Sequence, residues 1–168
     1  MEYGGGLRDG FWVTLQLTVS AVIIGLVLAL VLALLTLSTH RYYRWPAETT
    51  TFFFRGTPLL VQLFLVYYGS GQFRHELDSI GLWTLFREAH FCAIFVLALN
   101  TAAYSAEIFS GAIRSVDKNQ IEAGRAVGMT SLVLYRRIVL PQAMRISWTS
   151  YSNEIIFIMQ ATSLVSII

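Results

Sequence analysis

The run TLQLTVSAVIIGLVLALVLALLTL, residues 14–37, holds no charged side chain across 24 positions. A hydrocarbon core about 30 Å thick needs roughly 20 apolar residues of helix. The run therefore reads as a transmembrane helix. A secretory leader is the main rival, but its apolar region is about 7–15 residues long and follows a basic segment. Here Arg8 is flanked by Glu2 and Asp9. The three glycines Gly4, Gly5 and Gly6 read as a loose lead-in to this span.

The rest of the chain keeps the same character. Of its 168 residues 55% are hydrophobic and 13% charged, about half the charge of an ordinary soluble domain, and the mean hydropathy is +0.60. The net charge of +2 gives no footprint for nucleic acid. Cys92 is the single cysteine, so no internal disulfide forms and nothing resembles a zinc site; it reads as a small packing residue. His40, His75 and His90 sit near expected loops without ligand spacing and receive no metal role.

A second span is expected over Thr51–Tyr68, with Arg55 near its start. Proline is tolerated in a first helical turn, so Pro58 puts the fully apolar part near Thr57. Tyr67 and Tyr68 suit an interfacial belt at its far end. A polar loop, Gly69–His90, leads to a third span, Phe91–Ala112. The amphipathic segment Ile113–Leu140 separates this from a fourth span, which begins near Ile146 and is still apolar at Ile168. With no polar tail or basic anchor after it, the chain reads as incomplete at its C-terminus. The fold class expected is all-α, a polytopic transmembrane helical bundle.

Basic residues mark the cytoplasmic side. The segments after spans one and three carry nine: Arg41, Arg44, Arg55, Arg114, Lys118, Arg125, Arg136, Arg137 and Arg145. The opposite side carries three, Arg8, Arg74 and Arg87. The N-terminus is thus expected outside and the segment Ile113–Leu140 in the cytoplasm.

That cytoplasmic segment reads as helix, glycine turn, helix. Asp117 can cap the first helix with Gln120 reaching back to it. Ile121, Gly124 and Val127 share a face. Gly128 fits the left-handed position past a helix end. Thr130 or Ser131 can cap the second helix, and Pro141 stops or kinks it. Gly124 costs about 1 kcal/mol against alanine inside a helix, which suits a site where another backbone packs closely. Two readings stand for the segment: docking into a partner's groove, or an amphipathic linker resting on the membrane surface.

Polar groups inside spans are costly and often functional. Gln62, Asn100 and Glu154 fall roughly mid-span and Glu107 nearer the cytoplasmic end. Glu154 is suited to a cationic substrate. Asn100 and Glu154 could equally join helices by hydrogen bonds, and Glu107 could reach Arg114 or an arginine on a neighbour. Gln160 and Ser163 face the pathway or a partner subunit.

Glu122-Ala123-Gly124, followed by Gly128, Ile138, Leu140 and Pro141, resembles the EAA coupling loop of ABC importer permeases, with Gly124 where the motif has its second alanine. Phe54-Arg-Gly-Thr-Pro-Leu-Leu-Val-Gln62, Gly10 to Thr18, Asn100 to Arg114, Tyr151 to Glu154 and Ala161 to Val165 resemble the polar amino-acid branch, closest to histidine, arginine and opine permeases. The resemblance implies a type I importer fold over residues 1–168, with residues 113–141 as the coupling loop. One helix more than this chain has would follow the fourth. It also implies a location in the cell inner membrane. The implied partners are an ATP-binding cassette subunit, a second permease chain and an extracytoplasmic solute-binding protein. No cofactor is expected in this chain; the resemblance puts ATP and Mg on the partner ATPase. The chain has no Gly-Lys pair and so no phosphate-cradling loop of its own. The implied function is import of polar amino acids, with basic ones as the expected substrates. The alternative is an ATPase-independent channel or secondary transporter, which would carry paired broken helices in an internal repeat. A membrane-embedded enzyme would need a convergent catalytic set, and the spans hold no histidine.

Overall fold

A computed structural model describes residues 3–168, with side chains from residue 8 onward. Helix α1, Tyr3–Thr36, contains the first span. It also takes in the glycines expected to form a loose lead-in, so that expectation is corrected. Helix α6, Ala89–Arg114, contains the third span and runs parallel to α1.

The two helices pack closely because their facing residues are small. Ala21, Gly25, Ala29 and Ala33 recur every fourth position on α1, and Ala98, Ala102 and Ala106 do the same on α6. A β-carbon on Gly25 would lie 2.9 Å from Thr101 Cγ2 and 3.1 Å from the Ala98 carbonyl oxygen. Small residues at this spacing allow close approach where no hydrophobic force draws helices together in lipid. Cys92 is buried in α6, and its thiol donates to the Phe86 carbonyl at 3.1 Å.

The second span differs from the single helix expected. Helix α2, Arg41–Gly56, and helix α3, Leu59–Gln72, meet at a bend of 102°. Thr57, which precedes proline, is extended at φ −111°, ψ 141°. Pro58 follows at φ −62°, ψ 134°. The proline ring disfavours helical geometry in the residue before it, so the helix stops at Gly56 and restarts beyond Pro58. Residues 51–56 therefore close α2 rather than open the span, and the stretch from Arg41 onward is helix, not loop. Ala47 and Thr51, four apart, are its buried face. The polar loop Gly69–His90 likewise contains two short helices, α4 (Arg74–Ser79) and α5 (Trp83–Phe86).

Beyond α6 come α7, Lys118–Ala126, and α8, Ser131–Leu134. A π-helical turn, Tyr135–Val139, carries α8 straight into α9, Leu140–Ala161, which ends in a 3₁₀ segment, Thr162–Ile167. Pro141 was expected to stop or kink this helix. Instead it sits in the first turn of α9 and the chain passes through. In a regular helix its ring would meet the carbonyl four residues back; the wider π turn immediately upstream gives it room.

Among the described residues two helices, Arg8–Thr36 and α6, are long and apolar enough to cross a membrane, and the bent pair α2–α3 has the length and apolarity for one when its two halves are taken together. Helix α9 has the length, 22 residues, but not the apolarity, because it carries Ser150, Asn153, Glu154 and Gln160. Its C-terminal half still joins the main core. Leu17, Leu59, Leu63, Ala93, Val96, Leu97 and Ile158 are buried together, bringing α1, α3, α6 and α9 into one bundle.

Candidate functional site

The hairpin after α6 is built from its own short-range contacts. Asp117 caps α7 by accepting a hydrogen bond from the Asn119 N–H at 2.9 Å. The expected reach-back from Gln120 does not form. Its side-chain oxygen instead accepts from the Gln142 amide and ties α7 to the start of α9. Helix α7 closes on Gly128 at φ +79°. The Gly128 N–H donates to the Arg125 carbonyl at 3.0 Å and the Met129 N–H to the Gly124 carbonyl at 3.1 Å. These two bonds form the Schellman closure, which favours glycine at this position. Thr130 occupies the cap position of α8 without a side-chain bond.

Gly124 faces inward. A β-carbon there would lie 2.6 Å from Leu134 Cδ1 and 3.1 Å from Ile138 Cδ1. The close neighbour is therefore a pair of side-chain methyls, not the backbone expected. Leu134 and Val139 are buried with Ala112 and Val116 from the end of α6 and Ala143 from α9, and Ile121, Met129 and Ile138 pack on them. Val127 does not share the inward face of Ile121 and Gly124. It lies past the last turn of α7 and is 74% exposed, and Leu132 is 80% exposed. Glu122 and Ala123 are exposed too, as are Leu140 and Pro141. The motif residues thus divide. Gly124, Gly128 and Ile138 hold the hairpin together, and Glu122 and Ala123 present an outer face beside two bare apolar side chains.

The second constellation gathers at the break between α2 and α3. The Gln62 amide donates to the Phe54 carbonyl at 2.9 Å, the Thr57 carbonyl at 3.1 Å and the Thr57 hydroxyl at 2.7 Å. Its oxygen accepts from Asn100 at 3.3 Å, and the Asn100 amide also reaches the Phe54 carbonyl at 3.3 Å. The break leaves carbonyls without helical partners, and these two buried amides satisfy them. Further along α6 the Tyr104 hydroxyl donates to the Arg55 carbonyl at 3.4 Å. The Arg55 guanidinium lies 5.6 Å above the Tyr104 ring and pairs with Glu107 at 3.2 Å. Glu107 thus finds an arginine on a neighbouring helix, while Arg114 donates to the Thr36 carbonyl at 3.4 Å.

Asn100, Tyr104 and Glu107, at i, i+4 and i+7, form one polar stripe on α6 that engages the end of α2. The spacing was readable in the sequence. Its meaning was not, because Phe54 and Arg55 read as the opening of the second span and not as the end of a separate helix.

Gln62 and Asn100 are brought together; Glu154 and Gln160 are not joined to them. Glu154 is only 7% exposed, and one carboxylate oxygen has no hydrogen-bond partner. It borders a cavity of about 290 Å³ with Tyr104, Ser150, Asn153 and Phe157. Tyr104 thus belongs both to the stripe and to this cavity. Gln160 is exposed on the outer surface of α9.

Comparison with known proteins agrees with this architecture. A solved structure of an amino acid ABC transporter with histidines superposes with a TM-score of 0.86 at 34% identity, covering 99% of this chain and 73% of that one. A nopaline transport system permease protein of Agrobacterium fabrum is 50% identical over 155 residues, 92% of this chain and 64% of the relative. An octopine transport system permease protein of Rhizobium meliloti is 49% identical over 165 residues, 96% of this chain and 66% of the relative. A histidine/lysine/arginine/ornithine transport system permease protein of Escherichia coli K12 is 44% identical, over 92% of this chain and 65% of the relative. The chain therefore spans just under two thirds of the length of these relatives. The helical bundle is the type I ABC importer permease fold. The family model for the inner membrane component of binding-protein-dependent transport systems matches residues 12–168, and the chain is a member of that family.

Proposed function

We propose that this chain is the membrane-spanning permease subunit of an ABC importer for polar amino acids, with residues 113–141 as its coupling loop. The observation that carries the reading is the build of the hairpin. Its inner face shares one core with the ends of α6 and α9, and Gln120 is bonded to Gln142. A partner pressing on Glu122, Ala123, Val127 and Leu132 would therefore displace α6 and α9 as well as the loop. Those two helices carry the Asn100–Tyr104–Glu107 stripe and Glu154. The partner on this face is the ATP-binding cassette subunit, which supplies ATP and Mg chemistry. A second permease chain completes the pore, and an extracytoplasmic solute-binding protein delivers the substrate. The chain crosses the cell inner membrane several times, with its N-terminus outside.

The pathway runs along the polar stripe. Arg55 and Glu107 remain 40% and 43% exposed, and Glu107 lies seven residues inside the cytoplasmic end of α6, about 10 Å along the helix. Charges facing lipid at depth cost about 3 kcal/mol each on insertion scales, so this face turns to water and the second permease chain. Gln62 and Asn100 set the shape of the break beside it, and Gln160 continues the polar surface along α9. The buried Glu154 carboxylate, with an oxygen free, favours a substrate with a cationic side chain.

Co-purification tests the coupling role. The ATPase subunit is expected to follow the wild-type chain and to be lost from an Ala123→Arg variant that melts at the wild-type temperature. Retention of the ATPase by that variant at the wild-type level would remove the coupling face from the account.

A further inference from the structure

Helix α2 carries an exposed aromatic surface that lies outside the polar stripe. At its cytoplasmic end Tyr42 is 84% exposed, with Tyr43 and Trp45 also exposed beside Arg41 and Arg44. At its deep end, next to the break, the exposed aromatics are Phe52 and Phe53. Tyrosine and tryptophan favour the headgroup level of a bilayer, whereas phenylalanine has no polar tip to keep wet. The order along α2 therefore follows the polarity gradient from headgroup to hydrocarbon.

Among the described residues Arg41 is in no ion pair, while Arg44 is held by Glu48 at 3.3 Å. Arg114 reaches the same end of α1 and donates there to the Thr36 carbonyl. The corner is thus net positive. Arg41 lines a cavity of about 610 Å³ with Leu35, Tyr42, Tyr43, Trp45 and Pro46. The depression is open, and it sets a cation beside exposed aromatic rings and the aliphatic Leu35 at the end of the first span.

We propose that this cavity holds the phosphodiester headgroup of an anionic phospholipid of the cytoplasmic leaflet. Arg41 faces the phosphate, and Tyr43 and Trp45 pack on the glycerol and upper acyl chain. The charge selects anionic over zwitterionic lipid, and the aromatic gradient selects a lipid over a soluble anion. A bound lipid would also brace the elbow between α1 and α2 from outside. The proposal rests on the membrane placement of the chain and not on what it transports.

Trp45 is its own reporter. The assembled transporter is placed in nanodiscs of phosphatidylcholine doped with brominated phosphatidylglycerol or with brominated phosphatidylcholine. The Trp45 signal is isolated as the part of the quenching that a Trp45→Phe variant lacks. One arginine near a membrane surface is worth about 1 kcal/mol toward anionic lipid. The expected result is therefore about fivefold preferential quenching by the anionic lipid. Arg41→Gln abolishes the preference and Arg41→Lys keeps it, with all variants monodisperse. Equal quenching by both lipids would overturn the proposal, as would a preference unchanged in Arg41→Gln. Quenching by neither lipid means that protein covers the site, and removal of the preference by excess soluble glycerol phosphate means that it takes a free phosphate. Either result also overturns it.

Discussion

Two glycines carry opposite lessons. At Gly25 the nearest obstacles include the Ala98 backbone carbonyl and the β-branched Thr101, neither of which can yield without moving α6. Gly25→Ala is expected to destabilise the bundle by about 1–3 kcal/mol, read as a lower melting temperature in detergent. At Gly124 the obstacles are the methyl ends of Leu134 and Ile138, which can rotate away. An alanine there also gains up to about 1 kcal/mol of helix propensity. Gly124→Ala is expected to melt within about 1 kcal/mol of wild type, whereas Gly124→Arg should open the hairpin from inside. The sequence marked Gly124 and Gly128 as special, but only Gly128 for the reason found. Its left-handed turn is a local property, visible in the run after α7. Which atoms crowd Gly124 depends on a helix ten residues away, and the importance of Gly25 depends on α6, more than seventy residues away.

Elements were legible where their pattern was self-contained. The cores of α1 and α6 read directly from apolar length. Helix α2 did not, because arginines, Pro46 and alternating aromatic and polar residues hide a helix that buries little beyond Ala47 and Thr51. Missing α2 also hid the break, although the residues that cause it, Thr57 and Pro58, were in view. The break depends on Gln62. Replacing it with leucine takes the side-chain donor from the Thr57 carbonyl and leaves the Phe54 carbonyl with Asn100 alone, at about 1–3 kcal/mol for an unsatisfied group. Gln62→Leu should lower the melting temperature and the uptake rate together. The π turn is the other element no periodicity disclosed. Deleting Arg136 would turn it into ordinary helix, so that the Pro141 ring meets the carbonyl four residues back and the α7–α8 hairpin is displaced from the start of α9. The expected outcome is a folded chain that no longer retains the ATPase subunit on size-exclusion chromatography.

At the scale of the whole molecule, charge distribution and spacing foretold a helical bundle with a basic cytoplasmic side, and the fold bears the bundle out. The fourth helix was legible in position but not in character. A span read from apolarity should be greasy all round, yet α9 exposes Ser150, Asn153 and Gln160, as a helix facing a pathway and a second subunit would. Glu154 is the residue where the substrate enters the account. Glu154→Gln is expected to reduce uptake of cationic amino acids by about tenfold, equivalent to about 1.4 kcal/mol, with a smaller effect on neutral ones.

On the proposed reading this chain moves amino acids only as the permease of an ATP-driven assembly. The full-length chain would be reconstituted in liposomes with its second permease chain and ATPase subunit, and the binding protein added on the extracytoplasmic side. Labelled basic amino acid would then be followed with ATP or ADP at the ATPase face. Accumulation against a gradient that requires ATP and disappears without the ATPase subunit is the expected result. Equal uptake with ADP, or from liposomes lacking the ATPase subunit, would make the chain a channel or secondary transporter and contradict the account.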